Sequence, residues 1–260
     1  MPVRQYTNGN LSNKADFCVT YIPNDSGKIK TQIHSQTSVL HGSKLQDICI
    51  TTLFDLHINH GRLKVIDSGG QYFVLQARIE AAVKKAHPKT LVESLPEFKQ
   101  HARYKSKADR FRRSRLYLPG NQGKLMLNAG IHKPDAIILD LEDSVAPKEK
   151  DSARLIVRNA LRHLDFFGAE RMVRINQGKT GLKDMEAVIP HNVHLILIPK
   201  VEDSAQLKEV DDKIQSKHTF DLLNHFKKNN KKIKIFFLIG ADNLINFHKW
   251  DKWQKIPRLA

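Results

Sequence analysis

From Ser114 onward, short apolar runs alternate with amphipathic segments, and this alternation is what most narrows the folds open to the chain. Residues 115–118 read as a short strand stopped by Pro119-Gly120, and 123–129 as a helix. The run at 136–141 (AIILDL) is almost wholly apolar, as a strand covered on both faces must be. Residues 147–164 follow with Ala153, Ile156, Val157, Ala160 and Leu161 at helical spacing. Strands are expected again at 171–175 and 194–198, with a helix over 204–214. Repeated strand–helix order predicts an α/β fold with a parallel sheet, open or closed into a barrel.

The chemistry of this zone sits at the predicted strand ends. In parallel α/β folds the carboxyl ends of the strands are where loops converge on ligands. Asp140-Leu141-Glu142-Asp143 stands at such an end, and three carboxylates within four residues repel one another unless a cation or a proton sits among them. Arg174 closes a second strand (MVRIN), where a guanidinium suits a planar carboxylate. Pro199-Lys200-Val201-Glu202 closes a third. A plainer reading is that Asp143 or Ser144 caps the helix beginning near Pro147. Three charged strand ends together favour a site, but both readings stay open.

These residues carry a resemblance. Arg113-Ser114-Arg115-Leu116-Tyr117-Leu118-Pro119-Gly120-Asn121, then Leu139-Asp140-Leu141-Glu142-Asp143-Ser144-Val145 with Lys148, Ala153 and Arg154, are similar to the citrate lyase β subunits. Val173-Arg174-Ile175-Asn176 and Ile198-Pro199-Lys200-Val201-Glu202 extend the likeness across residues 113–212. The resemblance, to the HpcH/HpaI aldolase–citrate lyase family, implies a partial (β/α)8 TIM-type barrel. It implies Mg²⁺-assisted cleavage of a citryl thioester into oxaloacetate and an acetyl thioester. By that likeness Arg174 binds substrate carboxylate, Glu142 and Asp143 line the metal–substrate site, and Arg113 and Lys124 contact phosphate or acyl groups. The family's direct metal ligands come from later strands, beginning with a Glu about 30 residues past the PKVE motif. Here that position is followed by Gly240-Ala241-Asp242, with no Glu.

The flanks resemble other proteins. Residues 8–86 read as a small α+β unit, with strands at 16–22, 28–34 and 62–66 and a helix at 44–54. A hairpin turn at Asp67-Ser68-Gly69-Gly70 leads to a strand running into a helix over 72–85. Gly9-Asn10-Leu11-Ser12, Ser38-Val39, Asp67-Ser68-Gly69-Gly70 and 77–82 (ARIEAA) resemble the citrate lyase γ and malonate decarboxylase acyl carriers. That resemblance implies an acyl-carrier-like domain bearing a phosphoribosyl-dephospho-CoA arm, with Ser12 the attachment candidate. Residues 87–112 read as a basic, solvated linker. The segment 213–260, through 217–223 (KHTFDLL) and 236–244 (FFLIGADNL), resembles nicotinate-nucleotide adenylyltransferases. That likeness points to Asp242 and Trp250 as nucleotide contacts, although the triphosphate-binding GxFDPxHxGH segment of that family is absent. Trp250 and Trp253 read equally as packing aromatics.

Composition sets outer bounds. The net charge is +16, yet residues 113–212 hold 15 basic and 15 acidic side chains, so the excess lies in the linker and the tail. A nucleic-acid-reading face is not expected from that distribution. Two cysteines, Cys18 and Cys49, are too few for a disulfide framework. His57-Ile58-Asn59-His60 lacks a cysteine or carboxylate partner and reads as a loop rather than a zinc site. No 18-residue apolar run suits a membrane span, and a cytoplasmic protein is expected. The leading expectation is a carrier–lyase fusion acting in an oligomer or a citrate-lyase-type complex. The alternative is a non-catalytic fusion of a lyase fragment with an adenylyltransferase fragment.

Overall fold

The computed structural model describes residues 4–10, 14–35, 38–107, 109–202, 204–206, 210 and 234–237. Strands β1 (Tyr6–Asn8), β2 (Phe17–Ile22), β3 (Ile29–Ser35) and β4 (Gly61–Asp67) form one sheet in the order β1-β2-β4-β3. The β3–β4 pair is parallel and the others antiparallel. Phe17, Val19 and Tyr21 alternate inward along β2, the period-2 pattern of a half-covered sheet. Helices α1 (Ser38–Asp55) and α2 (Tyr72–Ala86) complete this unit.

The structure corrects the expectation of a hairpin at 67–70. Asp67 Oδ1 accepts from the amides of Gly69 (2.7 Å) and Gly70 (3.2 Å), closing a turn that feeds straight into α2. Residues 72–85 are helical throughout, because Phe73, Leu75, Ile79, Ala82 and Val83 recur at helical rather than strand period. A Cβ on Gly70 would come within 2.4 Å of the Phe17 ring, so only glycine lets the turn close on the core.

Strands β5 (Arg115–Pro119), β6 (Ala136–Asp140), β7 (Glu170–Arg174), β8 (Leu195–Ile198) and β9 (Lys234–Phe237) are all parallel and lie side by side in chain order. A doubly wound sheet reverses direction after its first strands, whereas this order is that of a barrel wall. Helices α3 (Gly123–Leu127), α4 (Lys150–His163) and α5 (Gly178–Val188) fill the crossovers. Helix α5 was not anticipated, its apolar positions being interrupted by Lys179, Lys183 and Asp184. Strand β9 pairs with β8 in register, so the change of fold expected at residue 213 does not separate 234–237 from the barrel sheet.

The two units share one core. Residues from Phe17 through Ile79 and Ile137 to Val201 form a single apolar cluster, while Ala136, Ile138, Met172, Leu195 and Leu197 form a second on the other face of the parallel sheet. Helix α2 is buried from Phe73 to Val83 except at the half-buried Gln76, because α1 and the small sheet cover one side and α4 the other. Polar contacts also cross the seam. The fully buried Arg158 of α4 donates to both carboxylate oxygens of Glu80 (3.0 and 2.7 Å), and Arg78 of α2 donates to Ser152 (2.8 Å). Taking away one partner of such a pair strands the other charge, at about 3–5 kcal/mol.

The connection 87–112 exposes most of its basic side chains, as its composition suggests, but its backbone is tied down at several points. It is a strap gripped through its own carbonyls: Arg171 donates to Ala102 O (2.5 Å), and Asn192 to Ala102 O (2.9 Å) and Tyr104 O (3.0 Å). Ser94 and Ala102 are fully buried, and Arg112 pairs with the buried Glu170 (2.5 Å). The basic side chains that suggested solvent leave these backbone contacts invisible in the sequence.

Candidate functional site

Register sets up the site. Pro119, Asp140, Arg174 and Leu197 stand in one row at the carboxyl ends of β5 to β8. Arg174 donates to its cross-strand neighbour Asp140 through Nε and Nη2, both at 2.7 Å, and lies 5.4 Å from the centre of the Tyr117 ring. Asp140 also accepts from the amides of Glu142 (2.9 Å) and Ser144 (3.1 Å). Burial pushes the Asp140 pKa up, but Arg174 and these donors prevail and hold it below the usual carboxylate range. The same ion pair raises the Arg174 pKa. Asp140 thus takes the loop-ordering role that was open to Asp143 or Ser144, and α4 begins without a side-chain cap.

The following residues ring the remaining face of the guanidinium. Arg174 Nη1 lies 3.2 Å from Glu142 Oε2 and 3.6 Å from Asp143 Oδ2. Lys200 donates to Glu142 Oε1 (2.7 Å) and Asp143 Oδ1 (2.9 Å) from a left-handed backbone at φ 50°. The Lys200 bond is the main cause that lowers the Asp143 pKa, and the Glu142 bond the main cause that raises that of Lys200. Glu142 Oε2 is buried and, although it ion-pairs with Nη1, has no hydrogen-bond partner among the described residues. Arg174 keeps about a fifth of its side chain exposed, and Asp143 and Lys200 more than half. Two cations and three carboxylates therefore meet at one partly open mouth.

A polar scaffold holds this loop from below. Lys150, at the start of α4, donates to Leu141 O (3.0 Å), Glu142 O (2.8 Å) and Asn176 Oδ1. Asn176 donates to Leu141 O (2.8 Å) and Asp184 Oδ2 (2.7 Å), and Arg154 pairs with Asp184 Oδ1 (2.8 Å). Gly120 donates to Asp140 O at 2.7 Å, and a Cβ there would sit 2.7 Å from that oxygen, so the Pro119-Gly120 turn admits no side chain.

Of the residues expected from sequence, Glu142, Asp143 and Arg174 come together. Lys124 lies on α3, after the carboxyl end of β5. Arg113 does not join them: it precedes β5, at the opposite end of the strand, and pairs with Asp135 (3.5 Å) over the Phe111 ring. Ser12, Asp242 and Trp250 lie outside the described residues. Sequence reasoning placed Lys200 at a charged strand end without giving it a role, and missed Lys150 as a member of the site. The requirement that some cation sit among the DLED carboxylates was the signal, and Lys200 of the PKVE segment answers it.

The described residues do not by themselves suit a magnesium ion, which wants near-octahedral oxygen donors. Asp140 spends its oxygens on Arg174 and two amides, and Glu142 and Asp143 both accept from Lys200. Among the described residues, no three metal-capable side chains are drawn together. None of the described helices is long and apolar enough to cross a membrane.

Residues 113–245 match the family model described as HpcH/HpaI aldolase/citrate lyase, which continues past residue 213 into the segment expected to differ. Residues 6–86 match a model described as malonate decarboxylase delta subunit. The citrate lyase subunit beta of Haemophilus influenzae is 41% identical over 107 residues, 40% of this chain and 37% of that protein. A (3S)-malyl-CoA thioesterase of Cereibacter sphaeroides is 41% identical over 100 residues, 38% of this chain and 35% of that one. The chain spans little more than a third of the length of these curated relatives. Among solved structures, a citrate lyase beta subunit from M. tuberculosis complexed with oxaloacetate and magnesium has a TM-score of 0.37 at 24% identity, covering 52% of each chain.

Proposed function

The chain belongs to the HpcH/HpaI aldolase/citrate lyase family, and from this premise we propose that its Arg174 mouth takes part in carbon–carbon cleavage of a citryl thioester. The products are oxaloacetate and an acetyl thioester. One observation carries the reading: Asp140 holds Arg174 bidentately at a strand end, beside Lys200 and a buried Glu142 oxygen that has no hydrogen-bond partner among the described residues. A guanidinium oriented in this way is preorganised for a substrate carboxylate.

The exposed Asp143 is the easiest of the three acids to displace from the two cations. A substrate carboxylate taking its place is bound by Arg174 and Lys200. Glu142 Oε2 then accepts the proton of the substrate's tertiary hydroxyl. As the alkoxide becomes the ketone of oxaloacetate, the carbon–carbon bond breaks and its electron pair passes into the thioester enolate. Passing the proton held on Glu142 to that enolate, directly or through water, gives the acetyl thioester and restores the carboxylate. Fixed positive charge beside developing negative charge lowers the barrier. The 6–86 unit, by its match to a decarboxylase subunit and its likeness to acyl carriers, is a carrier-like partner of this site.

The test is to supply the purified chain with citryl-CoA and Mg²⁺ and to follow oxaloacetate. Arg174-dependent release supports the proposal. Absence of oxaloacetate, or equal release by Arg174→Ala, overturns it. A second reading, thioester hydrolysis, is favoured by the malyl-CoA thioesterase relatives, and free CoA formed without oxaloacetate identifies it.

A further inference from the structure

Lysine is an unfavourable residue at position 150. It opens α4, and the amino end of a helix carries partial positive charge that works against a cation. The side chain escapes by reaching across to the loop after β6. Its ammonium donates to three neutral oxygens, Leu141 O (3.0 Å), Glu142 O (2.8 Å) and Asn176 Oδ1, one for each N–H. No donor is left over for a substrate. Lys200, across the same mouth, differs: its partners are two carboxylates, one of them mostly exposed, which a ligand can displace.

The two main-chain acceptors are successive carbonyls, which in a strand point to opposite sides. Here both face one ammonium, so the chain turns out of the sheet directly after β6. The peptide joining Leu141 to Glu142 is held at both ends of its dipole. The Glu142 amide donates to Asp140 Oδ1 (2.9 Å), and Leu141 O accepts from Lys150 and from Asn176 Nδ2 (2.8 Å). Asp184 Oδ2 accepts the second proton of that Nδ2 (2.7 Å), which leaves Oδ1 as the Asn176 atom turned to Lys150. Glu142 is therefore pinned at its amide and at its carbonyl, and its side chain departs from a fixed point toward Arg174 and Lys200.

We infer that Lys150 is the positioning residue for Glu142, holding its main chain so that Oε2 stands beside the Arg174 guanidinium. The inference rests on the thioester-cleavage reading only for the task of Glu142 as base, and the hold on the loop stands on geometry alone. Of the two lysines at the mouth, one orders the loop and the other meets the ligand. Charge matters here as well as length. Three oxygens drawn together at a half-buried point repel one another, and an ammonium offsets that repulsion where a neutral side chain of similar length cannot.

The test compares Lys150→Met, which keeps the stem and removes the donors, with Lys150→Ala in citryl-CoA cleavage. Lys150→Met is expected to lower kcat about 10²-fold, the loss that follows when a reacting group is set about 1 Å out of place. KM should change little, because Arg174 and Lys200 still meet the substrate. Ammonium chloride should restore part of the Lys150→Ala rate, since it carries the missing N–H donors, whereas tetramethylammonium chloride at the same ionic strength should not. A raised KM with kcat unchanged, or an equal response to both salts, overturns the inference. Amide hydrogen exchange decides it without turnover. In Lys150→Ala the Glu142 and Ser144 amides, which Asp140 holds, should exchange faster and slow again in ammonium, while β6 stays protected. Unchanged exchange at 142 and 144, or faster exchange throughout β6, overturns the inference even if the wild type releases oxaloacetate. Ammonium-dependent protection without any oxaloacetate release upholds the hold of Lys150 on the loop and removes the lyase reading instead.

Discussion

Glu80→Gln is the sharpest probe of how the two units are joined. Glu80 is fully buried and receives two hydrogen bonds from Arg158 (3.0 and 2.7 Å), one from Lys84 (2.7 Å) and one from the Ser94 amide (3.2 Å). The amide keeps the shape but removes the charge, leaving Arg158 with Glu93 (2.8 Å), which is more than a third exposed, and two neutral acceptors. Removing one partner of a buried pair costs about 3–5 kcal/mol. The surviving Glu93 contact argues for the lower end, about 3 kcal/mol. That is a large share of the roughly 5–15 kcal/mol that holds a domain folded. Urea unfolding should show a lower midpoint with an unchanged slope and a single transition, since both units lie on one core. The effect also has a pH signature. Burial works to raise the Glu80 pKa, but Arg158 and Lys84 together lower it. A carboxyl whose folded pKa is depressed stabilises above its unfolded pKa of about 4.3 and loses that contribution as pH falls toward the folded value. The gap between wild type and Glu80→Gln should therefore narrow below about pH 4.3. A variant within about 0.5 kcal/mol of wild type, or two separate unfolding steps, would refute the account of a charge-locked seam.

Three further outcomes follow from the same structure. Arg174→Ala is expected to lower oxaloacetate release about 10²–10³-fold, as loss of a preorganised transition-state donor does, and Arg174→Lys should recover little because the fork to Asp140 is lost. Gly123→Val drives a side chain into Val74 and should cost about 1–3 kcal/mol by thermal unfolding, with Lys28→Val as a neutral surface reference. His194 is held by burial and by Arg171 at a pKa of about 3. It stays neutral in the fold while the unfolded chain takes up a proton near pH 6.5, so stability should fall between about pH 6.5 and 3. His194→Gln should flatten that slope by up to about 1.4 kcal/mol per pH unit, and an unaltered slope would count against the buried neutral imidazole.

The parallel unit was legible because its strands announce themselves. AIILD and LILI can be covered only on both faces, and the charges that follow them fall at the ends where loops meet. The small unit was read in outline, but the glycine pair at 69–70 suggested a hairpin where the Asp67 side chain instead closes a turn into α2. The strap at 87–112 was illegible for a different reason. Its contacts are backbone carbonyls gripped by Arg171 and Asn192, residues tens of positions further on, and no local pattern records an acceptor that distant side chains will use.

The same distinction explains which part of the site could be read in advance. Glu142, Asp143 and Arg174 were accessible because their charges are conspicuous at strand ends. The residue that makes them a unit, Asp140, looked like one more acid in a cluster, yet it is the only one of the three acids at the mouth that accepts from Arg174 and also from two loop amides. Which carboxylate organises and which remains available is decided by register: Asp140 stands directly beside Arg174 on the neighbouring strand, while Glu142 and Asp143 have left the sheet. A one-residue slip between β6 and β7 would send Arg174 to the other face and dissolve the site without changing a single side chain. The chemistry therefore depends on strand pairing as much as on residue type, and the apolar row below it, Ile138 against Met172 against Leu195, is what fixes that pairing.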